Sequence, residues 1–170
     1  MDVLASSMGF LPDFLPNGAS GELSFEGIGR IKKEFCPDAS VQAATIGIVK
    51  AFPSPCVLVD AQMAFKKDQL AVASQTGFGF RDDPSPTLRA VHTTVNSSAR
   101  EAGLQFLKNW RVPAQSVIAH VFDSGGYAEA EEDLSWWCAS GGKRLAALPV
   151  RIKAKKTGES VQALVMPIDR

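Results

Sequence analysis

The chain is predicted to be an α+β protein with a mixed, mainly antiparallel sheet of about six strands and helices packed on one face. Three observations predict it. Val57, Val59, Ala61, Met63 and Phe65 alternate with Leu58, Asp60, Gln62 and Lys66, the period of a strand with one buried face. Leu148, Val150, Ile152 and Ala154 alternate with Arg151, Lys153 and Lys155; Thr157-Gly158 then turns the chain, and Leu164, Met166 and Ile168 return as a hairpin partner. Between these, Leu88, Val91, Val95, Ala99, Ala102, Phe106 and Trp110 recur at steps of three and four, which places them on one helical stripe.

Taken in order, residues 1–20 hold Phe10, Leu11, Phe14 and Leu15 among Pro, Gly and Asn, and read as an N-terminal arm that packs on the core or on a partner. Phe25, Ile28, Ile31 and Phe35 fit a helix that Ser24 caps, but Gly27 and Gly29 weaken it, so the conformation of residues 1–36 stays open. Residues 43–76 read as a three-strand meander, with Ile46 and Ile48 in the first strand, a turn at Pro53-Ser54-Pro55 and another at Lys67-Asp68. A Gly-, Pro- and Asp-rich loop, TGFGFRDDPSP, follows at 76–86. The long helix starts after Pro86 and closes before Pro113; Gly103 inside it costs about 1 kcal/mol against Ala. Ser116 to Phe122, SVIAHVF, is apolar on both faces and reads as an interior strand. Asp123-Ser124-Gly125-Gly126 leads into a second helix with Tyr127, Ala130, Leu134, Trp137 and Cys138 on its inner face, ended by Gly141-Gly142. The C-terminal hairpin completes the order. Val59, Val95, Phe106, Ile118 and Val150 are expected to be buried together.

A chain of 170 residues is expected to form a single domain, 1–170. Eighteen basic residues balance 18 acidic ones, so general affinity for nucleic acid or an anionic membrane surface is not expected. No apolar run reaches the length of a membrane span. The start, MDVLASSMGFLPDFLP, lacks a basic lead and is interrupted by Asp and Pro, unlike a secretory signal. Three cysteines, Cys36, Cys56 and Cys138, make an odd count without close pairing, which points to a reducing cytoplasm. With His92 and His120 they show no metal-ligand spacing, so neither metal nor other cofactor is expected.

Asp123-Ser124-Gly125-Gly126 resembles part of the GDSGG stretch of chymotrypsin-like serine proteases, but Phe122 replaces the leading Gly, Tyr127 follows where Pro is usual, and the patterns lack two β-barrels. That family is excluded. Gln75-Thr76-Gly77-Phe78-Gly79 resembles the pyrophosphate loop of GNAT acyltransferases, and the element order fits the second half of that fold; Arg81-Asp82-Asp83-Pro84 departs from it by delaying the helix. The resemblance implies an acyl-CoA-dependent acyltransferase as one alternative. The same order is similar to the YjgF/Rid-like fold, whose trimers hold ligand clefts between subunits; Val59-Asp60-Ala61-Gln62 resembles its strand, and Arg144 falls near its carboxylate-binding arginine.

The leading expectation is a small-molecule-binding protein, homo-oligomeric, with its cleft between sheet and helices or between subunits. The alternatives are the acyltransferase and a protein–protein interaction module; whether there is catalysis stays open. The strand-to-helix turn at 120–127 is the candidate ligand site, because glycines and a helix N-terminus favour a ligand oxygen. Its residues are His120, Asp123, Ser124 and Tyr127, with Arg144 supplying charge and Phe78 and Phe80 as pocket or lid residues. Glu129 to Asp133 is an acidic counterpart to Lys143–Lys156, so a head-to-tail subunit contact is a further expectation.

Overall fold

The computed structural model describes residues 22–66, 85–104, 106, 108–138, 142 and 144–168. The expected arm, the third strand of the meander, Phe78 and Phe80 lie outside these. Ser24 caps helix α1 (Phe25–Phe35), accepting from Gly27 N at 3.0 Å, and Ser40 caps α2 (Val41–Ala51), accepting from Ala43 N at 3.1 Å. The strand expected around Ile46 and Ile48 is therefore a helix. Its buried residues, Ala44, Thr45, Ile48 and Val49, recur at the helical step, and a short apolar run fits either period until its partners are known.

Strand β1 (Val57–Ala64) pairs with β2 (Thr87–Val95); α3 (Ser97–Glu101), α4 (Val117–Ser124), β3 (Tyr127–Asp133), β4 (Pro149–Thr157) and β5 (Ser160–Pro167) follow. The strands order β2-β1-β5-β4-β3, every neighbouring pair antiparallel. The α+β class and the antiparallel sheet stand, with five named strands. The run Asn109–Val112 covers the outer edge of β2: Ala90 N donates to Trp110 O at 2.9 Å and Asn109 N to Ala90 O at 2.7 Å.

Three further elements differ in type from the expectation. Residues 87–95 form a strand because TLRAVHTTV is rich in β-branched residues. A bulge opposite Asp60 and Ala61 adds one residue, so Leu88 and Ala90 share a face with Thr93 and Val95. That odd step breaks the alternation and imitates a helical stripe. Residues 117–124 form a helix capped by Ser116, with Val117, Ile118 and Val121 buried. Residues 127–133 form a strand whose alternation of Ala with Glu matches the basic residues of β4.

Helices lie on both faces of the sheet, not one. Val57, Val59, Ala61, Ile152, Ala154 and Val165 pack with Ile118 and Val121 of α4. Leu58 and Leu164, pointing the other way, pack with Leu23, Ile28, Ala44, Ile48 and Val49 on and beside α1 and α2. The expected core group holds despite the changed elements: Val59, Phe106, Ile118 and Val150 are buried in one cluster with Val95 packed against it. No helix among the described residues is long and apolar enough to cross a membrane.

Candidate functional site

The face under α1 carries most of the charge. Antiparallel register sets Tyr127 opposite Lys155, Glu129 opposite Lys153 and Glu131 opposite Arg151, and directly opposed residues share a face. Glu22, just before α1, binds both cations of the inner rows: it pairs with Arg151 and lies 3.0 Å from Lys153 Nζ. Arg151 also meets Glu131 at 2.9 Å and Glu129 at 3.6 Å, while Lys153 is buried. The acidic stretch at 129–133 thus finds its basic counterpart within the chain. Lys155 differs from its two neighbours. Among the described residues it makes no ion pair, and it stands exposed in an open cleft of about 360 Å³ lined by Ser24, Phe25, Glu26, Tyr127 and Lys155.

Two elements build this cleft. The capped first turn of α1 supplies Phe25 and Glu26; the β3–β4 ladder supplies Tyr127 and Lys155. Tyr127 Oη donates to Glu129 Oε2 at 3.1 Å. Desolvation by burial, then the bond to Glu129 and the negative charges of Glu129, Glu26 and Glu22, raise the phenol above its ordinary range. It therefore stays a neutral hydroxyl.

The row that contains Tyr127 and Lys155 runs across the whole sheet. Lys155 opposes Gln162, Gln162 opposes Asp60 and Asp60 opposes His92, so the row reads His92, Asp60, Gln162, Lys155, Tyr127 from β2 to β3. All five are polar. Asp60 is 9% exposed, and burial raises its carboxyl pKa against a hydrogen bond from Gln162 and attraction to His92. His92 and Lys155 are exposed and Gln162 is half-buried.

Of the residues expected at the turn 120–127, only Tyr127 lines the cleft. His120, Asp123 and Ser124 are exposed on α4, against the opposite face of the sheet. Asp123-Ser124-Gly125-Gly126 ends a helix where it was expected to begin one. Ser124 Oγ donates to His120 O at 2.7 Å, Gly125 caps the helix with φ +78°, and Lys156 donates to Phe122 O at 2.9 Å while its Nζ sits 3.7 Å from the Phe122 ring centre. The helix dipole there favours a cation, and Lys156 supplies one. Arg144 is exposed and forms a backbone bridge with Cys138. Phe78 and Phe80, with the Gly-rich loop that carries the acyltransferase resemblance, lie outside the described residues. Sequence reasoning missed Ser24, Phe25, Glu26 and Lys155 as one group. The alternation Tyr127, Glu129, Glu131 against Arg151, Lys153, Lys155 was the signal that β3 and β4 pair. Among the described residues, no three of His, Cys, Asp and Glu gather so as to hold a metal ion. Compared with models of known protein families and with curated proteins, the chain matches none.

Proposed function

We propose that this protein binds a small molecule in the cleft between the first turn of α1 and the β3–β4 ladder, with an anionic group of the ligand on Lys155. One observation carries the reading. Of three cations aligned along β4, Arg151 and Lys153 are matched by carboxylates, whereas Lys155 faces the cleft with none paired to it among the described residues. The cleft's volume of about 360 Å³ falls within the roughly 300–1,000 Å³ usual for small ligands. Phe25 and Tyr127 offer ring surface, and the Tyr127 hydroxyl and the Glu26 carboxylate offer polar contacts. A compact anion with an apolar tail fits that lining.

The test is an NMR titration with small carboxylates and phosphates. Amide shifts are expected to centre on Tyr127 and Lys155, and Lys155→Ala should weaken binding about tenfold, the effect of one charge-assisted hydrogen bond. Ser124→Ala and Arg144→Ala should leave affinity unchanged. Binding that depends on Ser124 or Arg144 but not on Lys155 would move the site to the 120–127 turn.

The proposal extends to assembly and location. Phe35, Val41 and Trp136 are exposed apolar residues at 38%, 64% and 39%, and such surface supports self-association. Sedimentation at high micromolar concentration giving a strictly monomeric mass would refute it. Free Cys36, Cys56 and Cys138 support a reducing, cytoplasmic setting.

A further inference from the structure

We infer that the outer edge of β3 docks an extended segment of another protein as a further strand, and that this segment alternates basic with apolar residues. The inference goes beyond the cleft reading and does not depend on it. Strand β3 ends the order β2-β1-β5-β4-β3. Residues 109–112 cover the other end of the sheet, whereas among the described residues no backbone bond reaches the outer side of β3. Register shows which groups face out. Lys156 N donates to Gly126 O at 2.8 Å at one end of the β3–β4 ladder, and Leu134 N to Leu148 O at 3.0 Å at the other. Both are opposed pairs in one continuous register, so the hydrogen-bonded pairs fall at the even positions of β3. The backbone N–H and C=O groups of Tyr127, Glu129 and Glu131 therefore point away from β4. Such a row is a template for another strand.

Charge and side-chain alternation define the partner. On the α1 face, Glu22, Glu129 and Glu131 share Arg151 and Lys153, three carboxylates for two cations. The Glu131 side chain is 64% exposed and stands on the outermost strand. A lysine or arginine directly opposite it on an added strand comes within pairing distance. On the α4 face, half-buried Ala128 and Ala130 pack against the core, so the alternate residues of the added strand meet apolar surface. Strand β4 already has that pattern on the inner side, where Arg151, Lys153 and Lys155 alternate with Ile152 and Ala154. A second copy of the chain fits worse. Antiparallel registers that pair most of β3 with another β3 set Glu129 or Glu131 against a carboxylate, and like charges directly opposed repel. The acids that guard the edge against self-pairing thus select a basic segment.

The experiment uses the full chain, amide hydrogen exchange and NMR titration. The probe is a short capped peptide alternating Lys with Val; its control has the same composition with Lys and Val in two blocks. In the free protein the amides of Tyr127, Glu129 and Glu131 should exchange at least about tenfold faster than those of Ala128, Ala130 and Glu132. Equal protection would mean that the edge is already occupied, and overturns the inference. The alternating peptide should shift and protect the three outward amides and bind about tenfold more tightly than the block peptide. Glu129→Gln combined with Glu131→Gln keeps the backbone edge and should weaken binding about tenfold. Glu131→Pro removes one outward N–H, spares the β4 ladder and should weaken it as well. Lys155→Ala should leave peptide binding intact, which separates the edge from the cleft. No shift at β3, equal affinity for the two peptides, or indifference to the paired Gln variant overturns the inference. So do outward amides that become protected as protein concentration rises without peptide, since a second copy then takes the edge.

Discussion

Replacing Glu132 tests how the two halves of the chain are joined. Glu132 lies on β3, is 6% exposed, and its Oε1 accepts from Val117 N at 2.6 Å and Ser116 Oγ at 3.1 Å. It therefore satisfies the first turn of α4, an eight-residue helix too short to persist alone. Glu132→Ala strands two buried donors at about 1–3 kcal/mol each and opens a small cavity. Release of a buried carboxylate offsets part of that, leaving a net loss of about 3 kcal/mol. In a chain of this size that lowers Tm by about 6–12 °C. Glu132→Gln keeps an acceptor and should cost about 1 kcal/mol. Burial raises the Glu132 pKa from 4.5, against the bonds from Val117 and Ser116. A carboxyl with a raised folded pKa contributes stability that is complete below its unfolded value and lost as pH rises through the folded one. Urea midpoints should therefore fall as pH is raised from about 4.5 toward 7, and Glu132→Gln should flatten that fall. Asp60 shifts in the same direction, so part of the slope stays. The assay is urea and thermal unfolding followed by circular dichroism. A Glu132→Ala loss below about 0.5 kcal/mol, or an undiminished pH slope in Glu132→Gln, refutes the capping role.

Asn96→Ala should lower stability by about 3–4 kcal/mol in urea unfolding, because this residue accepts from Cys56 N and Ala99 N and donates to Phe52 O and Ser54 O, all in a site 2% exposed. Asn96→Asp should cost at least as much, since it turns an oxygen toward two carbonyls. Val95→Ala should cost about 1 kcal/mol, because Val95 is only partly buried against the core; an unchanged midpoint would count against its packing. Cys56 is buried with its thiol pushed up to about 12, so native-state alkylation should label Cys36 and Cys138 and spare Cys56 until the chain unfolds. Cys56 labelling at the rate of Cys36 would contradict its burial.

What the sequence disclosed depended on whether partner and period agreed. The β4–β5 hairpin and β1 alternate cleanly, and both were legible at nearly their observed bounds. The β2 strand was not, because its bulge offsets Leu88 and Ala90 from Thr93 and Val95 by an odd step. For α4, VIAHVFDS fits strand and helix alike, and the deciding contact is Glu132, fifteen residues from Val117 in sequence. The β3 strand carries the clearest signal of its own pairing. Ala128 and Ala130 alternate with Glu129 and Glu131, and those acids match Lys153 and Arg151 at the same period. The core group survived these exchanges because burial follows the residue's apolar character more closely than its secondary structure.

The site was less legible than the fold for a reason of geometry. A cleft residue such as Tyr127 can be singled out by type, but its neighbours are fixed by register. Lys155 meets Tyr127 because β3 and β4 pair; Asp60 joins their row only because β1 and β5 pair as well. A one-residue slip in either ladder would turn one of these side chains to the α4 face and dissolve the row. The same dependence explains why Asp123-Ser124-Gly125-Gly126 reads as a ligand loop in the sequence and as a helix end in the fold. Its composition suits a ligand loop, yet its meaning hangs on which flank is helical. With α4 before it, the loop sits at the negative end of a helix, and Lys156 of β4 already occupies that position. The charge that recognises a ligand must be one that the fold has not spent. Arg151, Lys153 and Lys156 are engaged with carboxylates, carbonyls or a ring, and Lys155 is the β4 cation that remains directed at open space among the described residues.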